Sequence, residues 1–328
     1  MGKLYKILPV FEERLWGGQR LRERFEYRSG LKNIAEVYNV IAIPGHLDCT
    51  VEETGEKLSQ FYHTHSELFA CSAPEMPVRM ILCAAEKPLS IQIHPDDPYA
   101  LEHEGMRGKP EGSLILECDP DFHMVHGHYA RSLDEFRALA EQKKWDKLCR
   151  VIWPKQGEYV HIPSGTLHAF APGAVVCAFS VNGDVTYRLY DYDRVDPALG
   201  EKRPLQPADV YANVNIPDRM IQPYTAEPVY KDGCRVFWYH DEPGVYSCGR
   251  IQTQNEEGKF CLEQFYFLTC VNGKGTVSGV NISKGETCFI PAFSGEITIE
   301  GNLDLTLITY REPEYMGRQE LNKCTAGH

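Results

Sequence analysis

The stretch Gly285-Glu286-Thr287-Cys288-Phe289-Ile290-Pro291 repeats in outline an earlier one, Gly157-Glu158-Tyr159-Val160-His161-Ile162-Pro163. Glycine lets the backbone turn where other residues are strained. The β-branched and aromatic run suits a pleated strand, and the proline, with no N–H to donate, ends it. Around the later phrase lie Phe265-Tyr266-Phe267-Leu268, the turn Asn272-Gly273-Lys274-Gly275, and the runs Glu296-Ile297-Thr298-Ile299 and Leu305-Thr306-Leu307-Ile308. Upstream, short apolar runs at 37–43, 88–94, 114–117, 158–162 and 175–179 are broken by Gly, Pro and Asp/Asn turns. This spacing predicts an all-β sandwich or barrel, and the paired phrases predict that the unit occurs twice.

Two helical regions interrupt the strands. One is expected within 54–71, with Leu58, Phe61 and Leu68 inward. The other, within 132–150, opens on the capping-box signature Ser132-Leu133-Asp134-Glu135, after which Leu133, Phe136, Leu139 and Ala140 recur at helical spacing. A second short helix is expected at Trp145 and Leu148. Residues 197–228 are rich in proline and lack periodicity, and the β pattern resumes near Pro228. The expected division is a domain at 1–215 carrying the helical segments and a C-terminal domain at 216–328.

A net charge of −12 argues against non-specific nucleic-acid or anionic-membrane binding, which needs basic surfaces. Twelve cysteines are scattered without a C-x-x-C pair, many inside apolar segments, and read as buried, reduced side chains. The opening MGKLYKILPVFEERLW has no apolar core of a signal peptide, and no stretch has transmembrane length. The expected location is cytoplasmic.

Three short motifs carry metal chemistry. They are Gln92-Ile93-His94 in IQIHPDDPYA, Glu111 in GKPEG and His168 in YVHIPSGTLHAF. Together they offer two imidazoles, a carboxylate and an amide oxygen, a mixed N/O set suited to a zinc-like ion. Gln92 and His94 are two apart in a strand, so both face the same way. A lone histidine at a strand end is more often a plain core or surface residue, and glutamine is an uncommon ligand; the weight rests on the set. His63 with His65, and His123 with His126 and His128, also have metal-like spacing. The first pair lies in a helical stretch, where i and i+2 do not share a face. The second group reads as polar loop, so both are expected to be adventitious surface histidines. No Walker loop or G-x-G-x-x-G follows a strand, and Ser164 lacks a nucleophile-elbow context, so no nucleotide cofactor is implied.

From Trp16-Gly17-Gly18 to the run Thr186–Asp196 the chain resembles the type I mannose-6-phosphate isomerases, most of all their short bacterial form. The resemblance is carried by ERLWGG, Q-x-H-P-D-D, GKPE, IPSGTLHA and YRLYDYDR, in the family's order and across most of residues 1–215. It implies one zinc ion per chain, with other divalent ions possible, on Gln92, His94, Glu111 and His168. It further implies Arg188 as the active-site arginine, Lys109 as a phosphate-binding or proton-moving group, and Ser90 near the phosphate. The implied reaction is aldose–ketose isomerisation between mannose 6-phosphate and fructose 6-phosphate through a cis-enediol. The proton-transfer base stays open among Lys109, a water at the ion and a histidine. The implied partner is a small sugar phosphate, with no nucleic acid and no membrane, for a monomer or homodimer. The strand order from residue 265 resembles a cupin jelly roll. The expected fold is therefore all-β, two cupin-like jelly-roll domains with a helical insertion in the first. The second domain has no histidine matching His168 and reads as metal-free.

The chain departs from the family's pattern at Ile81, where the family has a lysine, at Ser113-Leu114, where it has an aromatic pair, and at Ala178-Phe179-Ser180-Val181, where it has a polar run. Each change is expected to remove a polar or aromatic group from the cavity wall, with Arg79, on the strand face of Ile81, restoring a positive charge. These departures motivate two alternatives. One is a related metallo-isomerase for another sugar or sugar phosphate. The other is a non-catalytic, sugar-binding regulatory cupin.

Overall fold

Three large antiparallel sheets and a two-stranded ribbon, Val195–Asp196 with Glu201–Lys202, build the molecule. They are taken from a computed structural model that describes residues 3–196, 200–254 and 257–313. A six-stranded sheet runs Tyr159–Ile162, Glu111–Cys118, Ala174–Val181, Val78–Ala84, Glu36–Val40 and Val10–Glu12. A five-stranded sheet runs Tyr187–Tyr190, Ile91–Ile93, His168–Phe170, Met124–His128 and Cys149–Ile152. The ten-stranded sheet is centred on Ile297–Thr309 and Tyr266–Val277. Both Gly-Glu…Ile-Pro phrases form strands, Tyr159–Ile162 and Thr287–Ile290. Each leaves a glycine at positive φ, 88° at Gly157 and 87° at Gly285, which explains the residue type there. The result is a mostly β, cupin-type fold.

The ends of the chain interlock. The strand Tyr5–Leu8 pairs with Thr287–Ile290, and Thr50–Val51 pairs with Tyr5–Leu8, so early residues complete the sheet built by late ones. The helices Leu58–Thr64 and Ser66–Phe69 pack on the same sheet. Phe69 stacks on Phe289 at 4.6 Å and meets Phe265 edge-on at 5.1 Å. The expected single helix is broken at His65, and Phe69 is buried while Leu68 is only partly so.

The helix Leu133–Glu141 backs the five-stranded sheet. Ser132 Oγ accepts from the Glu135 N–H at 3.2 Å, as its capping role requires, while the Glu135 carboxylate takes the N–H of Arg131 rather than that of Ser132. Phe136 and Ala140 are buried against Ile91, Ile93, Leu148 and Leu167. Because strand residues alternate, burying Ile91 and Ile93 on this side turns Gln92 to the other face.

Several expectations need correction. His126 and His128 lie in the strand Met124–His128 and are buried, not on a surface loop. Each donates its Nε2–H to a backbone carbonyl, of His161 and of Asn215, both at 2.9 Å, which lets a polar H-G-H run sit inside. Helices also occur at Asp97–Glu104 and Pro207–Asn213, the latter within the stretch expected to lack periodicity. Among the cysteines, ten are free, eight of them buried and Cys71 and Cys118 half-buried. Cys261 is disulfide-bonded, against the all-reduced expectation, and Cys324 lies outside the described residues.

Candidate metal centre

Register places the site. Arg188, Gln92, His168 and His126 stand directly opposite one another across four neighbouring strands. Opposed residues of antiparallel strands share a face, so these four point the same way, with His94 two residues beyond Gln92. In the six-stranded sheet, Ile162, Glu111, Ser180 and Arg79 form a second row. The faces meet at His94, Glu111 and His168, whose ligand atoms all lie within 4.8 Å of one another, with all three residues buried.

The arrangement fits a divalent ion. His94 Nδ1 lies 2.8 Å from the Val185 carbonyl and His168 Nδ1 2.9 Å from that of Thr166. A carbonyl only accepts, so each Nδ1 carries the proton and each Nε2 is left with a lone pair. His168 Nε2 is buried and has no hydrogen-bond partner, a costly state that a bound cation relieves. Glu111 Oε1 is 3.4 Å from His168 Nε2 and Oε2 is 3.6 Å from His94 Nε2. Two ligands on a tetrahedral zinc at about 2.05 Å stand about 3.35 Å apart, so this is the spacing of a coordination shell. Gln92 is in register with His168, and its Oε1 accepts from Ser90 Oγ at 2.9 Å.

A positive charge already stands among these atoms. Lys109 Nζ is 3.0 Å from Glu111 Oε2 and 3.1 Å from His94 Nε2, and Lys109 is buried. Burial lowers the Lys109 ammonium below its ordinary pKa despite Glu111. Burial would raise the Glu111 carboxyl, but Lys109 and then His94 override it and hold it well below the usual range. Burial, then His94, pushes His168 down to about 3, and burial, then Lys109, lowers His94. Both imidazoles are therefore neutral at physiological pH, the state a metal needs.

Beside this cluster lies a cavity of about 990 Å³ lined by Ser90, Gln92, Lys109 and Arg188, together with Trp16, Tyr38, Arg79 and Asp184 among others. All four residues singled out outside the histidine–carboxylate cluster thus share one wall space. The Arg188 guanidinium makes no ion pair among the described residues, and its Nε is buried without a partner. Burial, then Arg203, lowers its pKa. Arg203 differs, gripping Asp191 with bonds of 2.8 and 2.7 Å.

The expected cavity-wall role of the departures does not hold. Ile81, Ala178 and Ser113 are neighbours in one row across the six-stranded sheet, between Tyr38 and Val160. All three are buried and none lines the cavity, because the row packs into the core beneath it. Arg79 does line the cavity, but its guanidinium is committed to Gly183 O at 2.6 Å and Asp184 Oδ1 at 3.0 Å. Sequence reasoning missed Asp184, which also meets His46 Nε2 at 3.0 Å. It lies four before Arg188, and no pattern in the chain marks it.

Residues 253–310 match the sequence profile described as "Mannose-6-phosphate isomerase, cupin domain". A probable mannose-6-phosphate isomerase of Bacillus subtilis (strain 168), GmuF, is 35% identical over 314 residues, 91% of this chain and 96% of that one. The chain belongs to the mannose-6-phosphate isomerase family. The family's fold is matched as well. The crystal structure of the mannose 6-phosphate isomerase from Bacillus subtilis superposes with a TM-score of 0.88 at 29% identity, covering 94% of this chain and 99% of that one. A mannose 6-phosphate isomerase solved with zinc and yttrium gives a TM-score of 0.72 at 15% identity, over 94% of this chain and 100% of that one, and shares the fold.

Proposed function

We propose that the chain is a metal-dependent isomerase interconverting mannose 6-phosphate and fructose 6-phosphate, with zinc as its ion. The observation that carries this reading is the buried His94–Glu111–His168 cluster beside a cavity that also holds Lys109 and an uncommitted Arg188. Gln92 completes the proposed ligand set. At such a donor set a zinc ion would polarise the sugar's carbonyl and stabilise negative charge as the proton moves.

The protein's own groups do the rest. Isomerisation removes a proton from C2 of the open-chain aldose and returns one to C1, through a cis-enediol. Lys109 is the proposed proton carrier: burial weakens its hold on the proton, and it stands against the ligand cluster. Arg188 is fixed at the wall as a planar donor with an unused N–H, suited to the charge that develops on the enediolate oxygens. Ser90 is proposed at the substrate's edge. Its single proton is used on Gln92 Oε1, so it must rotate before donating to a phosphate.

The proposed division keeps the chemistry in 1–215 and leaves 216–328 metal-free, although Tyr5–Leu8 and Thr50–Val51 are strands of the later sheet. No helix among the described residues is long and apolar enough to cross a membrane, and a cytoplasmic monomer or homodimer is proposed. The test is formation of fructose 6-phosphate by zinc-loaded protein, lost on chelation and restored by zinc. Turnover of a different aldose in its place would favour the related metallo-isomerase. Binding of sugar phosphates without turnover would favour the regulatory cupin.

A further inference from the structure

Residues 105–110 carry Lys109 from the helix Asp97–Glu104 to the strand Glu111–Cys118, yet they belong to no helix or sheet. Their backbone groups must be satisfied elsewhere. The Lys109 N–H donates to Pro95 O at 3.1 Å. The Gly108 N–H donates to Asp97 Oδ1 at 2.8 Å. Asp97 Oδ2 accepts from Arg107 Nε at 3.0 Å and Nη2 at 2.8 Å. One carboxylate therefore holds three donors on the two residues just ahead of Lys109. Arg107 Nη2 also donates to Gly244 O at 3.3 Å, in the turn between Cys234–Glu242 and Tyr246–Thr253.

Packing leaves the segment little room. A Cβ on Gly108 would run into the backbone of Pro95 and Asp96, and one on Gly183 would lie 2.7 Å from Arg107 O. Asp97 itself is partly exposed and is not among the cavity-lining residues. It stands outside both the cavity lining and the His94–Glu111–His168 cluster, and its side-chain hydrogen bonds are with the segment.

We infer that Asp97 is a positioning residue that sets where the Lys109 ammonium stands between His94 and Glu111, and that Arg107 ties this placement to the C-terminal sheet. The inference rests on the proposed reading of Lys109 as an active-site group, which its contacts with Glu111 Oε2 and His94 Nε2 support. A half-exposed ion pair contributes little to stability, whereas misplacing a reacting group by about 1 Å can cost about 100-fold in rate. Rate and stability should therefore separate.

The experiment compares the zinc-loaded full chain with Asp97→Ala, Asp97→Asn, Arg107→Met, Lys109→Ala and Asp97→Ala/Lys109→Ala. Four quantities are measured: kcat, KM for mannose 6-phosphate, bound zinc and Tm. Asp97→Ala should lower kcat about 10- to 100-fold, with KM within about threefold and about one zinc per chain retained. Asp97→Asn keeps an acceptor for Gly108 and should recover most of that loss. In the Lys109→Ala background, removing Asp97 should cost nothing further. Should Asp97→Ala not fold, Arg107→Met carries the test, with a several-fold fall in kcat that also vanishes without Lys109. A wild-type kcat in Asp97→Ala would overturn the inference. So would loss of zinc in step with activity, or a double variant showing the product of the two single effects. Full activity in Lys109→Ala would instead overturn the reading of Lys109, and this inference with it.

Discussion

His168 has a buried ring nitrogen with nothing to bond, while its other nitrogen is held by Thr166 O. Several buried ring nitrogens lack a partner, but His168 Nε2 alone among them stands beside a second histidine and a carboxylate within ligand distance, and that conjunction argues for an ion. His168→Ala should bind zinc far more weakly, by at least about 100-fold, and lose activity in parallel; a chelator competition titration that finds wild-type affinity would refute the ligand assignment. Arg188→Lys should keep the zinc but lower kcat/KM. One charge-assisted contact is worth about 1.5–3 kcal/mol, or one to two decades, and an ammonium cannot reproduce the planar fork. Steady-state kinetics on zinc-replete variant would show it, and an unchanged kcat/KM would remove Arg188 from the mechanism. At this scale the four candidate ligands, Lys109, Ser90 and Arg188 were legible because each sits in a short motif. Asp97 was quoted within such a motif, but its work is a contact with Gly108, eleven residues away in sequence along a path no periodicity marks.

Strand alternation decides which residues can meet. Gln92 faces the site because Ile91 and Ile93 are buried against the helix Leu133–Glu141. That helix was readable from Ser132 and from the spacing of Phe136 and Ala140. Phe136→Ala should destabilise the fold by about 3–5 kcal/mol in denaturant titration, and a change below 1 kcal/mol would mean that the helix does not support the sheet. The helix Asp97–Glu104 was not readable by periodicity, since Ala100 is its one buried residue. Its start was nevertheless written in Asp96-Asp97-Pro98, with Asp96 Oδ1 accepting from the Tyr99 N–H at 3.1 Å. The strand Met124–His128 was misread as loop because its burial depends on histidine–carbonyl bonds with residues far along the chain. Ile81, Ala178 and Ser113 were misplaced for a similar reason. Only the register shows them to be one packed row.

At the scale of the whole molecule, the paired Gly-Glu…Ile-Pro phrases announced the β architecture, but not that Tyr5–Leu8 would join the late sheet, since a four-residue strand carries no address for its partners. Burial, as the largest cause, depresses the pKa of His126 and His128, and it pushes His161 down to about 4. In the unfolded chain these rings titrate near ~6.5. Below that pH the unfolded state binds protons that the fold refuses, so stability falls as pH drops, by up to about 1.4 kcal/mol per unit for each ring. Denaturant titrations at pH 7 and pH 5 should differ by at least about 2 kcal/mol, with the acid side weaker; equal stabilities would contradict these assignments. The central claim is that one ion sits where the two sheets bring His94, Glu111 and His168 together beside Gln92. The most direct measurement is an anomalous difference map at the zinc edge from crystals of zinc-loaded protein. The account predicts one strong peak about 2.0–2.2 Å from His94 Nε2, His168 Nε2, a Glu111 oxygen and Gln92 Oε1, with the Lys109 ammonium moved off His94. Full zinc loading with no peak there, or with the peak on other residues, would contradict it.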